Sequence, residues 1–179
     1  NRATGTVAGI FGPKNPVRLA RLVMETTPHV CMIGDHVLDM GRKAGLDFPA
    51  PDYFFTQARW DALQDTLKMQ ADGTEDDDPA RRHGTVGAVA CDRDGNLAAA
   101  TSTGGWTGKL PGRVGDTPMP GAGNYAENAT CAVSGTGHPR AAIATARPWR
   151  APRPRAALRA VHPKRLHRDS RAQRHSHRG

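Results

Sequence analysis

Apolar residues recur at Val17, Leu19, Ala20, Leu22, Val23 and Met24, directly behind Asn15-Pro16. That spacing predicts an amphipathic helix whose proline sits in the first turn, where a missing N–H costs nothing. The short apolar run from Val30 to Ile33 predicts a strand. Gly34-Asp35 opens a second helix running to about Ala44, with Gly45 as its stop. Trp60, Leu63 and Leu67 are helically spaced and predict a third helix, started by Asp52 or Thr56. Residues 71–83 are polar and acidic, with no hydrophobic period, and read as a linker. The pattern then changes. Thr85 to Cys91 is β-prone and reads as a buried strand; Asp92-Arg93-Asp94-Gly95-Asn96 is a tight turn, with Asp-Gly as its signal; Leu97 to Ser102 returns as the partner strand. Gly104 to Gly123, rich in Gly and Pro, is loop, and Asn128 to Ser134 is a third strand. Helices before the linker and a hairpin after it imply one α/β domain in layers.

Composition changes this picture only at the C-terminal end. The formal net charge is +8 over 179 residues. Residues 138–179 hold eleven Arg and one Lys against one Asp, a net of about +11, while residues 1–137 carry thirteen basic and sixteen acidic side chains, a net of −3. The body is mildly acidic, and the tail alone suggests a polyanion partner. That tail is built of Arg, Ala, Pro and His with few large apolar residues, so it cannot bury enough surface to offset its ordering entropy and is expected to be disordered. It lacks aromatic interleaving beyond Trp149, which argues against a nucleic-acid arm.

Three cysteines, Cys31, Cys91 and Cys131, form no C-x-x-C pair and read as small buried residues of a reducing compartment. None of His29, His36 and His83 has a histidine four residues away, so no catalytic metal is expected. Lys109 lies outside any phosphate-loop pattern, and no G-x-G-x-x-G opens a helix, so no nucleotide or other cofactor is expected. No signal peptide and no apolar run long enough to span a membrane is present; a cytoplasmic location and no membrane partner are expected.

The chemistry gathers around His83-Gly84-Thr85-Val86-Gly87-Ala88-Val89-Ala90. A threonine follows a glycine and opens an apolar strand directly after a polar linker. A threonine hydroxyl is a weak nucleophile at neutral pH. A terminal α-amine, with a pKa near ~8, is a base of suitable strength to activate it, and cutting before Thr85 would create that amine. Gly84, without a Cβ, tolerates a strained scissile geometry. Further blocks follow in order: Asp92-Arg93-Asp94-Gly95-Asn96 through Thr101-Ser102-Thr103-Gly104-Gly105, Lys109-Leu110-Pro111-Gly112-Arg113-Val114-Gly115-Asp116, Gly121-Ala122-Gly123 and Ser134-Gly135-Thr136-Gly137. With Gly5-Thr6-Val7-Ala8-Gly9 and the Asn15–Glu25 stretch, residues 1–137 resemble the plant-type L-asparaginase / isoaspartyl aminopeptidase family of N-terminal nucleophile hydrolases.

The resemblance implies a partial αββα sandwich. Residues 1–84 would be α-subunit-like, with the linker at 71–83; residues 85–137 would start the β-subunit, and 138–179 would be the basic tail. It implies self-cleavage at Gly84–Thr85, with Thr85 as the nucleophile and Thr103 as the hydroxyl that tunes it. Arg113 and Asp116 would take the α-carboxylate and α-ammonium of the substrate, and Thr136 and Gly137 would meet the oxyanion. The implied reaction is hydrolysis of L-asparagine and β-aspartyl dipeptides, by a homodimer of αβ units. A glycosylasparaginase-type amidase is the near alternative; an inactive fragment or a basic-tailed nucleic-acid-binding protein is the alternative of another class. The motif series stops after Thr136-Gly137-His138, and Arg/Ala/Pro/His richness is what an out-of-frame reading of GC-rich DNA gives. A frame change there, and an N-terminal truncation before Asn1, are therefore expected.

Overall fold

The computed structural model describes residues 3–74 and 84–135, together with the backbone of residues 159–161. Strand β1 (Thr6–Ala8) leads into helix α1 (Pro16–Thr26) and then strand β2 (Cys31–Ile33), which pairs parallel to β1. This is a βαβ unit, the expected result when a helix bridges two parallel strands. Asn15 caps α1 by accepting from the Arg18 N–H at 3.2 Å, with Pro16 at the first helical position. Helix α2 (Asp35–Lys43) ends at Ala44, and Gly45 takes the left-handed conformation at φ +74° that stops it.

Leu19, Val23, Val37 and Leu38 form the core between α1 and α2, with Val7, Ile10, Leu22, Met32, Met40, Leu46 and Phe48 packed against them. Strand β1 lies close on α1: a Cβ on Gly5 would fall 2.2 Å from the Ala20 carbonyl oxygen, so no other residue fits there without moving backbone.

A 3₁₀ turn (Pro51–Phe54) precedes helix α3 (Gln57–Ala71). Thr56, not Asp52, is its N-cap, accepting from the Arg59 N–H. The face expected to carry Trp60 and Leu67 inward is not buried: both side chains remain about half exposed, and Thr66 is the buried residue of the helix. The physical reason is that α3 has little apolar asymmetry to bury; it meets the chain through Thr66 and Gln70, which approach the Gly108 backbone. Helix α3 ends at Ala71, where the linker was expected to begin; residues 75–83 of that linker lie outside the described residues.

Strands β3 (Val86–Cys91) and β4 (Leu97–Ser102) pair antiparallel, with Val86 opposite Ser102 and Cys91 opposite Leu97. Gly95 closes the turn at φ +84°, and the Asp92 N–H donates to the Asn96 carbonyl at 3.0 Å. This is a three-residue hairpin loop, longer than the two-residue turn that Asp-Gly most often signals. Asp92 organises it: its carboxylate accepts from the Asn96 N–H at 2.7 Å, the Asn96 side-chain amide at 2.8 Å and the Asp94 N–H at 3.0 Å. Asn128 reaches across, donating to Asn96 and accepting from the Leu97 N–H at 2.8 Å.

Strands β5 (Asn124–Ala126) and β6 (Ala132–Gly135) pair antiparallel, and strand β7 (Arg159–Val161) adds parallel to β6. The third strand therefore starts at Ala132, later than expected, because residues 127–131 form a turn closed by the Thr130 N–H on the Glu127 carbonyl. A three-residue strand such as β5 carries no readable period. Strand β7 falls within the basic tail, expected to be disordered or out of frame; the rest of residues 138–179 lies outside the described residues.

The hairpin stacks on this second sheet, and α1 packs on β4. A Cβ on Gly87 would lie 1.8 Å from Ser134 Oγ, and Thr101 Oγ1 bonds Ser134 Oγ at 2.6 Å and donates to the Gly123 carbonyl at 3.0 Å. Strand β3 itself is mostly exposed, Val86 at 68%, because one of its faces meets β6 and its outer face has no cover among the described residues. The expectation of a buried strand fails there. It fails also for two of the three cysteines: Cys131 is buried, but Cys31 and Cys91 are exposed, since alternation along β2 turns Met32 inward and Cys31 outward.

Two outcomes follow. Gly87→Ala must part the two sheets, and a loss of about 1–3 kcal/mol is expected from urea unfolding; an unchanged midpoint would show that the sheets do not touch there. The Asn96 hydrogen bonds, chief among several, hold the Asp92 carboxyl below its ordinary value. A depressed folded-state pKa adds stability above the unfolded value and loses it as pH falls through the folded one. Amide exchange at Asn96 is therefore expected to lose protection as pH drops through the carboxylate range in the native protein, and to show no such loss in Asp92→Asn.

Candidate functional site

The hairpin register carries the site. Continuing the pairing one step past Val86 and Ser102 sets Thr85 opposite Thr103, and the Thr85 hydroxyl donates to Thr103 Oγ1 at 3.1 Å. The Gly105 N–H donates to the same oxygen at 3.0 Å. Thr103 is thus fixed by its own following loop, and it fixes the rotamer of Thr85 in turn. Thr85 is half-buried.

The preceding residue, Gly84, borders a cleft of about 500 Å³ lined also by Arg59 and Leu63 of α3 and by the loop from Gly104 to Lys109. Gly84 and Gly105 both belong to its wall. The Arg59 guanidinium sits 3.3 Å from where a Gly84 Cβ would be. Gly105, at φ +82°, lets the chain turn back so that Lys109 and Arg113 both approach it; Arg113 Nη1 lies 3.2 Å from the position of a Gly105 Cβ.

Arg113 stacks its guanidinium over the Trp106 ring at 5.0 Å. Stacking of this kind fixes the plane of the fork while leaving its donors free for a carboxylate. Asp116 is buried, 8% exposed, and makes no ion pair with Arg113; its carbonyl accepts from the Met119 N–H, and Gly123 packs against that same carbonyl. The next residue, Thr117, has a buried hydroxyl without a hydrogen-bond partner among the described residues.

The structure therefore brings Thr85 and Thr103 together, with Gly84 beside them, and brings Arg113 to the loop that follows Thr103. It does not join Asp116 to Arg113 or Thr85 by any bond. Thr136 and Gly137 lie outside the described residues. Among the described residues no three His, Cys, Asp or Glu side chains converge to hold a metal ion. Arg59 and Trp106 were not singled out from sequence, and Lys109 was considered there only as a phosphate-loop lysine and set aside. Trp106 stands between glycines in a polar loop, an apolar ring with no period to explain it, and that was the available signal; Arg59 reaches the site only through the packing of α3.

The asparaginase family profile matches residues 1–147, beyond the last of the quoted motifs. The chain belongs to the asparaginase family. It is 51% identical over 137 residues to the isoaspartyl peptidase of Escherichia coli, an alignment covering 74% of this chain and 43% of that protein. It is 46% identical over 142 residues to the plant-type L-asparaginase of Pyrobaculum calidifontis (74% and 44%), and 42% identical over 138 residues to the isoaspartyl peptidase/L-asparaginase of Danio rerio (75% and 43%). The chain spans less than half the length of these curated relatives.

Gly105→Ala tests the loop. A left-handed non-glycine residue costs about 1–2 kcal/mol, and the added methyl meets Lys109 Cδ at 3.0 Å. Chemical denaturation should show a loss of at least that size; a neutral substitution would mean the loop is not held as described.

Proposed function

We propose that this protein is an amidohydrolase that cuts its own chain between Gly84 and Thr85 and then uses Thr85 to hydrolyse L-asparagine and β-aspartyl dipeptides. The observation that carries this is the 3.1 Å hydrogen bond from the Thr85 hydroxyl to Thr103, at a glycine–threonine junction facing an open cleft. The names of the relatives, isoaspartyl peptidase and plant-type L-asparaginase, support the same chemistry.

In the self-cleavage step, Thr85 Oγ attacks the Gly84 carbonyl carbon. The C–N bond breaks, the Thr85 nitrogen takes the proton that Oγ loses, and water hydrolyses the resulting ester. Gly84 ends as a carboxylate, and Thr85 gains a free amine. That amine then accepts the Oγ proton as Oγ attacks the side-chain amide carbon of the substrate. Ammonia or an amino acid leaves carrying the proton, and a second water frees aspartate. Both substrates share one aspartyl acyl group, so one mechanism serves both.

Thr103 holds the nucleophile through the attack. Arg113, its plane set by Trp106, takes the α-carboxylate as a charge-assisted pair. Asp116 takes the α-ammonium, and Thr136 and Gly137 supply the oxyanion donors, losing one of which typically slows such a reaction ~10²–10³-fold. The layers of α1, the hairpin and the β5–β6–β7 sheet support a partial αββα sandwich. Pairing of αβ units into a homodimer would cover exposed rings such as Phe11, Tyr53 and Phe55. A cytoplasmic location is part of the same reading; no helix of the described residues is long and apolar enough to cross a membrane.

Thr85→Ala should abolish both cutting, seen by denaturing electrophoresis and mass spectrometry, and ammonia release, while Thr85→Ser keeps a fraction of each. Arg113→Ala should raise KM about tenfold or more, as loss of a charged hydrogen bond does, and leave cutting in place, because the free α-carboxylate belongs only to the substrate. Hydrolysis that survives in Thr85→Ala would remove Thr85 from the mechanism.

A further inference from the structure

The cleft beside Thr85 carries more positive charge than the aspartyl group needs. Arg59 lines it from α3, Lys109 lines it from the far end of the Gly104–Lys109 loop, and no carboxylate lines it among the described residues. The Arg59 and Lys109 head groups end on no carboxylate in the described structure. Arg113, the third cation at the loop, stacks on Trp106 and is the group assigned above to the α-carboxylate. Two cations thus line the cleft, Arg59 beside Gly84 and Lys109 beside Gly105.

Asparagine has one carboxylate, which Arg113 satisfies under the reading above. A β-aspartyl dipeptide has a second one, on the residue that leaves, and an acidic leaving residue has a third. We propose that Arg59 and Lys109 form the subsite for the leaving residue, and that this protein therefore prefers β-aspartyl dipeptides whose leaving residue is acidic. The inference rests on the proposed hydrolase activity and adds to it a substrate class. Each of the two cations is on a different element: α3 precedes the cut and the loop follows it, so the subsite is complete only when both polypeptides stay together after cleavage.

The charge logic sets an order. An exposed cleft screens each pairing, so the discrimination is modest per charge. Two cations acting on a carboxylate pair should still favour a glutamate leaving residue over alanine, and disfavour lysine, whose ammonium would enter beside Arg59.

The test uses the matured full-length protein and four substrates: asparagine and the β-aspartyl dipeptides of glutamate, alanine and lysine. kcat/KM is expected to fall from glutamate to alanine to lysine, about tenfold or more across the series, mostly through KM, and the spread should shrink as salt rises from low to high ionic strength. Arg59→Ala should flatten that series. Arg59 lies beside the scissile junction, so a variant that fails to mature is replaced by Lys109→Ala, which should flatten it as well, and by Arg59→Lys, which should restore part of it. An active enzyme with no dependence on the leaving residue's charge, or one whose dependence survives both alanine variants, overturns the subsite and leaves the hydrolase reading standing. No hydrolysis of any of the four overturns the hydrolase reading and the subsite with it.

Discussion

The pairing register of the β3–β4 hairpin is the constraint on which the site depends. Side chains alternate faces along a strand, so a slip by one residue would turn Thr103 away from Thr85 and break the hydroxyl pair at once. Two devices hold the register. At one end Asp92 gathers the Asn96 and Asp94 amides and Gly95 takes the positive φ that the turn needs. In the middle Gly87, lacking a Cβ, admits Ser134 from the next sheet, which is locked in place by Thr101. Thr85, the proposed nucleophile, is thereby positioned by Gly87 and by a turn seven to eleven residues further along the chain.

Around this hairpin the rest of the chain has a graded role. The α1–α2 core of Leu19, Val23, Val37 and Leu38 anchors the N-terminal half, and α1 carries that half onto β4. Helix α3 is a weaker partner, largely solvated, yet it delivers Arg59 to the cleft. The loop from Gly104 to Gly115 does the chemical placement: Gly105 anchors Thr103 through its N–H, and its left-handed turn folds Lys109 and Arg113 back toward the same point. Trp106 then sets the plane of Arg113. Glycines and a single ring shape this site more than any charged pair does.

Much of this was legible in the chain itself. The hairpin was readable from the β-prone runs Thr85 to Cys91 and Leu97 to Ser102 on either side of an Asp-Gly turn, while the pairing of Thr103 with Thr85 was implied by the family resemblance. Helices α1 and α2 were readable because proline, glycine and the apolar period agreed. The losses have physical causes. Strands β1 and β5 are three residues long and have no period to read. The exposure of β3, Cys31 and Cys91 depends on which faces other elements cover, and a run of Val and Ala has the same composition whether covered or bare. Trp60 and Leu67 kept helical spacing but remain about half exposed. Arg59 and Lys109 line one cleft from distant parts of the chain, a placement that only packing reveals.

The central claim is that the Thr85 hydroxyl is the atom that accepts the acyl group. Rapid acid quenching of the matured full-length protein with a β-aspartyl substrate, followed by peptide mass spectrometry, tests it most directly. The account predicts one aspartyl group in ester linkage on the peptide that begins at Thr85. An aspartyl group found on any other residue, with Thr85 unmodified under the same conditions, would contradict it.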